Sequence, residues 1–97
     1  MTRRHRLSSA AERDIAEIVE YVAKANVDAA LVLVDQLTER FELLESQPEI
    51  GERYSDPRRG LRRTSLGNYV IIYQVVDDDA ILVVRVVHGA RNWHDLL

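Results

Sequence analysis

The chain has 97 residues, of which 46% are hydrophobic and 30% charged, with a formal net charge of −3 and no cysteine. This length suits one small domain with one core, so a single domain over residues 1–97 is expected. The composition excludes disulfides and thiolate chemistry, and no apolar run approaches the roughly 20 residues that span a bilayer. Because the basic N-terminus lacks the apolar segment of a secretory signal, a cytoplasmic location is expected.

The charges are unevenly distributed along the chain. Acidic residues dominate residues 12–52, whereas arginines dominate residues 53–67. Lys24 is the only lysine among the 13 basic residues. Arginine makes forked contacts to carboxylates and phosphates that lysine cannot make. The pattern predicts two surfaces of opposite charge, with a simple compositional preference for arginine as the alternative.

A helix is predicted near the N-terminus, after a short segment whose structure the pattern leaves open. Residues 3–8 before it are either a first strand or a loose arm. Ser9 and Glu12 have the spacing of a capping box, in which each side chain satisfies a backbone N–H group of the first helical turn. Apolar residues then recur at helical intervals, which predicts a helix over residues 10–25.

A second helix follows after a very short link. Asn26 or Asp28 is suited to cap its start, and Pro48 ends it. The short link makes the two helices an antiparallel hairpin. Residues 47–60 then form a loop that is long for so small a domain, and such loops are often functional. A plain connection from the helices to the sheet is the alternative.

The pattern changes to strand alternation from Leu61 onward. Three strands are predicted, over residues 61–66, 69–76 and 80–88. The dipeptide Gly67–Asn68 and the three aspartates from Asp77 supply the turns. The element order predicts an α+β fold in which a helical hairpin packs on one face of a small antiparallel β-sheet, in the order β-α-α-β-β-β.

The last strand is expected to have two different faces, because side chains alternate along a strand. The face against the helices should carry Leu82, Val84, Val86 and His88. The open face should carry Ile81, Val83, Arg85 and Val87. An exposed apolar patch around an arginine is typical of a partner site, unless another part of the chain covers it. Replacing Arg85 with Ala should then weaken partner binding and leave the fold intact.

Four motifs in this order resemble the ParE/RelE superfamily of bacterial toxin–antitoxin modules: "PEIG" (48–51), "GLRR" (60–63), "YVIIYQV" (69–75) and "RVVHGAR" (85–91). The resemblance extends from Arg6 to Arg91 and is closer to the ParE branch, whose members typically end in a strand followed by HG-x-R. It implies the helical hairpin on a small antiparallel sheet. It also implies an antitoxin partner that wraps the toxin with an otherwise disordered segment.

The resemblance implies one of two activities, because RelE-like members cut mRNA on the ribosome and ParE-like members inhibit DNA gyrase. RNA cleavage needs a base, an acid and cations. The candidates for these roles are Arg62, Arg85, His88 and Arg91. The absence of lysine from the sheet region favours the ParE branch: a gyrase inhibitor without catalytic residues, bound by a ParD-like antitoxin in a hetero-oligomer. A ribosome-dependent endoribonuclease and a non-toxic remnant that only binds antitoxin are the alternatives.

The predicted antitoxin- or target-binding residues are Arg62, Arg63, Ile81, Val83, Arg85, Val87, Arg91 and Trp93. Antitoxin carboxylates are expected to meet the arginines, and Trp93 is a candidate anchor. Solvated strand arginines and a tryptophan that covers its own fold are the alternatives, and His88 is more often a structural strand histidine. No cofactor or metal is expected, since His88 and His94 lack further ligands. No membrane contact and no sequence-specific contact to nucleic acid are expected.

Overall fold

The computed structural model of the chain describes residues 4–53, 60–77 and 80–89. In chain order the elements are β1 (Arg4–Leu7), α1 (Ser9–Ala25), α2 (Val27–Ser46), β2 (Glu52–Arg53), β3 (Leu61–Leu66), β4 (Tyr69–Asp77) and β5 (Ala80–His88). The predicted α+β class and the element order are confirmed, with the N-terminal segment a strand and the two-residue β2 added before the three predicted strands.

The strands form one five-stranded sheet in the order β1-β5-β4-β3-β2. Strands β2 to β5 pair antiparallel, whereas β1 pairs parallel to β5, with Arg4 opposite Ala80 and Leu7 opposite Val83. The sheet is therefore mixed and not wholly antiparallel. The helical hairpin returns the chain to the end of the sheet where β1 finished, and the successive reversals from β2 to β5 leave β5 pointing the same way as β1.

The helix starts depend on two side-chain caps. Ser8, not Ser9, caps α1, because its hydroxyl oxygen accepts a hydrogen bond from the Ala11 N–H at 3.0 Å. The predicted capping box at Ser9 is thus wrong by one residue. Asn26, one of the two predicted candidates, caps α2 in the same way by accepting from the Ala29 N–H at 3.0 Å. Helix α2 ends at Ser46, just before the proline.

The main core lies between the helices and the sheet. It joins Ala11 of α1 to the inner side of α2 and to five buried residues of the sheet: Ile71, Tyr73, Ile81, Val83 and Val86. A second buried cluster contains Leu61, Ile72 and Val87. No helix of the described ranges is long and apolar enough to cross a membrane.

A β-bulge overturns half of the face assignment for β5. The pairing with β4 shifts register between Ile72, which lies opposite Arg85, and Tyr73, which lies opposite Val83. A bulge breaks the alternation of side chains. Ile81 and Val83 therefore join the helix-side core, and Val84 packs in the second cluster. After the bulge the predicted faces hold, because Val86 packs in the helix-side core and Val87 in the second cluster.

Candidate partner-binding site

Arg85 does not lie on an open sheet face as predicted, because its guanidinium is held by Asp14 of α1. Its Nε donates to Asp14 Oδ2 at 2.7 Å and its Nη2 donates to Asp14 Oδ1 at 2.8 Å. The side chains are only 18% and 11% exposed, respectively. The hydrogen bond to Asp14 raises the pKa of Arg85 above its ordinary value. This is the forked arginine–carboxylate geometry that strengthens an ion pair.

Asp14 also covers the backbone edge of β5. Strand β1 pairs with β5 only as far as Val83. Beyond that point Ser8 Oγ donates to the carbonyl oxygen of Val84 at 2.7 Å, and Asp14 Oδ2 accepts from the Val86 N–H at 3.0 Å. Side chains from the start of α1 thus satisfy edge groups that would otherwise be open to another strand.

Arg62 contacts the backbone of the "PEIG" motif. Its Nη1 donates to the carbonyl oxygen of Gly51 at 2.9 Å and to that of Glu49 at 3.3 Å. The buried hydroxyl of Tyr73 binds the same motif, since it donates to the carbonyl oxygen of Pro48 at 2.7 Å and accepts from the Gly51 N–H at 3.0 Å. Three of the four sequence motifs therefore meet at one structural junction.

Gly51 and Tyr73 are in direct contact at this junction. A Cβ on Gly51 would lie 2.5 Å from the Tyr73 hydroxyl oxygen and 2.8 Å from the carbonyl oxygen of Arg63, so only glycine fits. Tyr73 is fully buried. Burial raises the pKa of its phenol, against smaller lowering effects of the Gly51 hydrogen bond and the Arg62 charge. A buried phenol with a raised pKa is a poor general base at neutral pH.

Arg63 points away from the helices and remains accessible. Its guanidinium contacts Glu52 of β2 at 3.0 Å, with the two side chains 44% and 76% exposed. Such surface pairs contribute little to stability. Among the predicted arginines in the described ranges, Arg63 is therefore the most exposed to a partner carboxylate. It lines a cavity of about 370 Å³ with Ile50, Glu52, Thr64, Ser65 and Val70.

The other predicted site residues do not form one cluster. Ile81, Val83 and Val87 are 0%, 0% and 2% exposed, so they are buried and do not form the predicted exposed apolar patch. His88 is exposed at the end of β5, where its ring packs edge-on against Tyr69 with the ring centres 5.7 Å apart. Arg91, Trp93 and His94 lie outside the described residues, and binding roles for Arg91 and Trp93 stay predictions.

Two features of this region were missed from the sequence. One is Asp14, which lies between the inward-facing Ala11 and Ile15 of α1 and so at the margin of its apolar face. A carboxylate at such a margin needs a partner, and that is the signal that could have indicated its pairing with Arg85. The other is the contact of His5 on β1 with Glu45 on α2, between residues 40 positions apart, for which the sequence carries no signal.

The fold is shared with solved toxin structures. One belongs to the chromosomal ParDE toxin–antitoxin system from P. aeruginosa, with a TM-score of 0.71, 20% identity and coverage of 91% of this chain and 96% of that one. Another belongs to the toxin–antitoxin complex RelBE2 from Mycobacterium tuberculosis, with a TM-score of 0.61, 22% identity and coverage of 91% and 99%. At these identities the likeness defines the fold class alone.

The sequence comparisons define the family. The model of the ParE toxin of the type II toxin–antitoxin system parDE matches residues 6–93. Toxin ParE1 of Mycobacterium tuberculosis, in strains CDC 1551 and H37Rv, is 32% identical over 89 residues, which cover 91% of both chains. The chain therefore belongs to the ParE toxin family of type II toxin–antitoxin systems, as the motif resemblance predicted.

Proposed function

We propose that this chain inhibits DNA gyrase by binding to it, without catalysing a reaction of its own, and that a ParD-like antitoxin neutralises it. The observation that carries the proposal is the ParE family match over residues 6–93. The structural likeness to a protein of a ParDE system supports a ParD-like partner. The toxin and antitoxin would form a hetero-oligomer in which the toxin is inactive.

The contacts of Arg62 and Arg85, two of the candidate nuclease residues, favour a binding role over RNA cleavage. A nuclease needs cations that are free to stabilise the phosphorane. Arg62 is occupied by two backbone carbonyl oxygens, and Arg85 by the Asp14 carboxylate. Both side chains are thus engaged in contacts within the fold.

The discriminating experiment compares two targets with one toxin preparation. Purified toxin is added to DNA gyrase with plasmid, and separately to programmed ribosomes with mRNA. The proposal expects loss of supercoiling or trapped, cleaved plasmid, with intact mRNA. Cut mRNA with unaffected gyrase would overturn it in favour of the endoribonuclease. Because Arg62 and Arg85 support the fold, their variants must be checked for folding before any loss of toxicity is assigned to a target contact.

The antitoxin component is tested separately from the target. A small ribbon-helix-helix protein encoded beside this gene is the expected ParD-like partner, and it should co-purify with the toxin and restore gyrase activity. Tight binding of this protein by a toxin that is silent in both target assays would identify the non-toxic remnant. In that case the antitoxin half of the proposal stands and the gyrase half fails.

A further inference from the structure

Helix α2 carries an apolar stripe that faces solvent. Five of the nine large hydrophobic residues that are exposed in the described ranges lie on this helix. Three of them follow helical spacing, Val27, Leu31 and Val34, and they are 62%, 60% and 40% exposed. We call these three residues the α2 stripe. Steps of four and three residues place them on one side of the helix, over about 10 Å.

The surroundings of the α2 stripe are acidic. Asp28 and Asp35 each follow a stripe residue by one position, and Glu39 and Glu42 continue along the solvent side of the helix. All four carboxylates are exposed, and none takes part in an ion pair recorded for the described residues. The only cation on α2 is Arg40, which is used elsewhere because it donates to Thr64 and Ser65 of β3.

The negative charges around the α2 stripe determine which kind of partner can bind there. A second copy of the chain would bring its own carboxylates against these, and like charges in contact disfavour association. DNA is disfavoured for the same reason. We call Asp28, Asp35, Glu39 and Glu42 the acidic border of the stripe. A partner helix with apolar residues at matching intervals could pack on the stripe, and Lys or Arg residues beside them could pair with the acidic border. Exposed apolar patches that are bordered by polar residues often mark protein–protein interaction sites.

We propose that the α2 stripe is a docking site for a basic amphipathic helix of the antitoxin. This proposal rests on the proposed function, in which a ParD-like antitoxin is the binding partner of the toxin. It differs from the expectation drawn from the sequence, in which antitoxin carboxylates meet toxin arginines. On α2 the polarity is reversed, and the toxin supplies the carboxylates.

The test compares Leu31→Ser with Val32→Ser, two exposed positions that are neighbours in sequence. Val32 is 54% exposed but lies about 100° further around the helix, so it is a matched control for exposure and for the loss of an apolar side chain. The protein encoded beside the gene is titrated into each full-length variant by calorimetry. Leu31→Ser is expected to weaken binding about 10- to 100-fold, and Val32→Ser less than about threefold.

The contribution of the acidic border to binding is tested by varying the salt concentration. The affinity of the unmodified toxin for the antitoxin should fall as sodium chloride rises from about 50 to 300 mM, since exposed charges are screened over this range. Asp28→Asn combined with Asp35→Asn should flatten this dependence. Glu17→Gln combined with Glu20→Gln removes the same charge from α1 and should leave the slope closer to that of the unmodified toxin.

Each result decides between the two proposals. Equal binding of Leu31→Ser and Val32→Ser, or a salt slope unaffected by the α2 pair, overturns the docking site and leaves the antitoxin proposal standing. A Leu31→Ser toxin that keeps antitoxin affinity but loses gyrase inhibition also overturns it, because the stripe then contacts the target. No binding of the neighbouring protein to unmodified toxin overturns the antitoxin proposal and the docking site together.

Discussion

Removing the Asp14 carboxylate should destabilise the fold more than removing any exposed acid of the helices. Asp14→Ala leaves the guanidinium of Arg85, which is only 18% exposed, without its forked partner. The same substitution deprives the Val86 N–H of its acceptor at 3.0 Å. The guanidinium thus loses the Asp14 carboxylate and an edge N–H group loses its acceptor in one step, and these hydrogen bonds between α1 and the end of β5 are lost.

The expected loss is about 3 kcal/mol. Breaking one side of a buried ion pair costs about 3–5 kcal/mol, and an unsatisfied buried N–H adds about 1–3 kcal/mol. The residual exposure of both side chains lets water compensate part of this loss, so the expected total lies somewhat below the roughly 4 kcal/mol at the lower end of that sum. For a domain of this size, about 3 kcal/mol corresponds to a decrease in Tm of roughly 15 °C.

Thermal and urea unfolding followed by circular dichroism measure the effect. Asp14→Asn keeps the shape and one acceptor oxygen, so it should lose about half as much stability as Asp14→Ala. Asp35→Ala is the control, because Asp35 is exposed in the middle of α2 and should change stability by less than about 0.5 kcal/mol. Arg85→Ala should also destabilise, and the double variant should lose less than the two single losses added together.

A Tm of Asp14→Ala within about 3 °C of that of Asp35→Ala would show that the Asp14 carboxylate does not stabilise the fold as expected. Additive losses in the double variant would likewise show that the two side chains act independently. Unchanged stability of Arg85→Ala together with weaker partner binding would restore the interpretation that the sequence first suggested, in which Arg85 contacts a partner and not its own helix.

Three further predictions concern the cap of α1 and the Gly51 junction. Ser8→Ala should cost about 1–2 kcal/mol in urea unfolding and Ser9→Ala close to none; the reverse order would return the cap to the sequence-predicted position. Gly51→Ala should cost about 3 kcal/mol, whereas Gly60→Ala, with open space around it and φ of 60°, should cost about 1 kcal/mol; equal losses would exclude steric contact as the cause. The pKa of the Tyr73 phenol is higher in the folded protein than in the unfolded chain, so as pH rises the phenol ionises first in the unfolded chain. The free energy of unfolding should therefore be unaffected by this group below about pH 10 and should fall as pH rises through the folded-state pKa. Tyr73→Phe should lower stability at neutral pH and remove this alkaline component; an unchanged pH profile would contradict the assignment.

Residues of the motifs that indicated the family make contacts within the fold of this protein. The "PEIG" segment is held by Tyr73 and Arg62, which belong to two of the other motifs. Arg85, the first arginine of the fourth motif, is held by Asp14 of α1. These residues could be recognised from sequence because their order along the chain is characteristic. Their roles could not, since an arginine that binds a backbone carbonyl and one that binds a partner have the same local sequence.

The sequence by itself determined the two helices, the three long strands, the order of these elements and the family. Helical spacing gave α1 and α2, alternation gave β3 to β5, and these signals are local, so one segment carries each of them. Only the tertiary structure decided the faces of β5 and the fate of Arg85. The bulge between Val83 and Arg85 depends on the pairing with β4, and Asp14, which accepts hydrogen bonds from Arg85, is 71 residues away. Alternation within one strand cannot report a register shift against its neighbour, because the shift belongs to the pair of strands and not to either sequence.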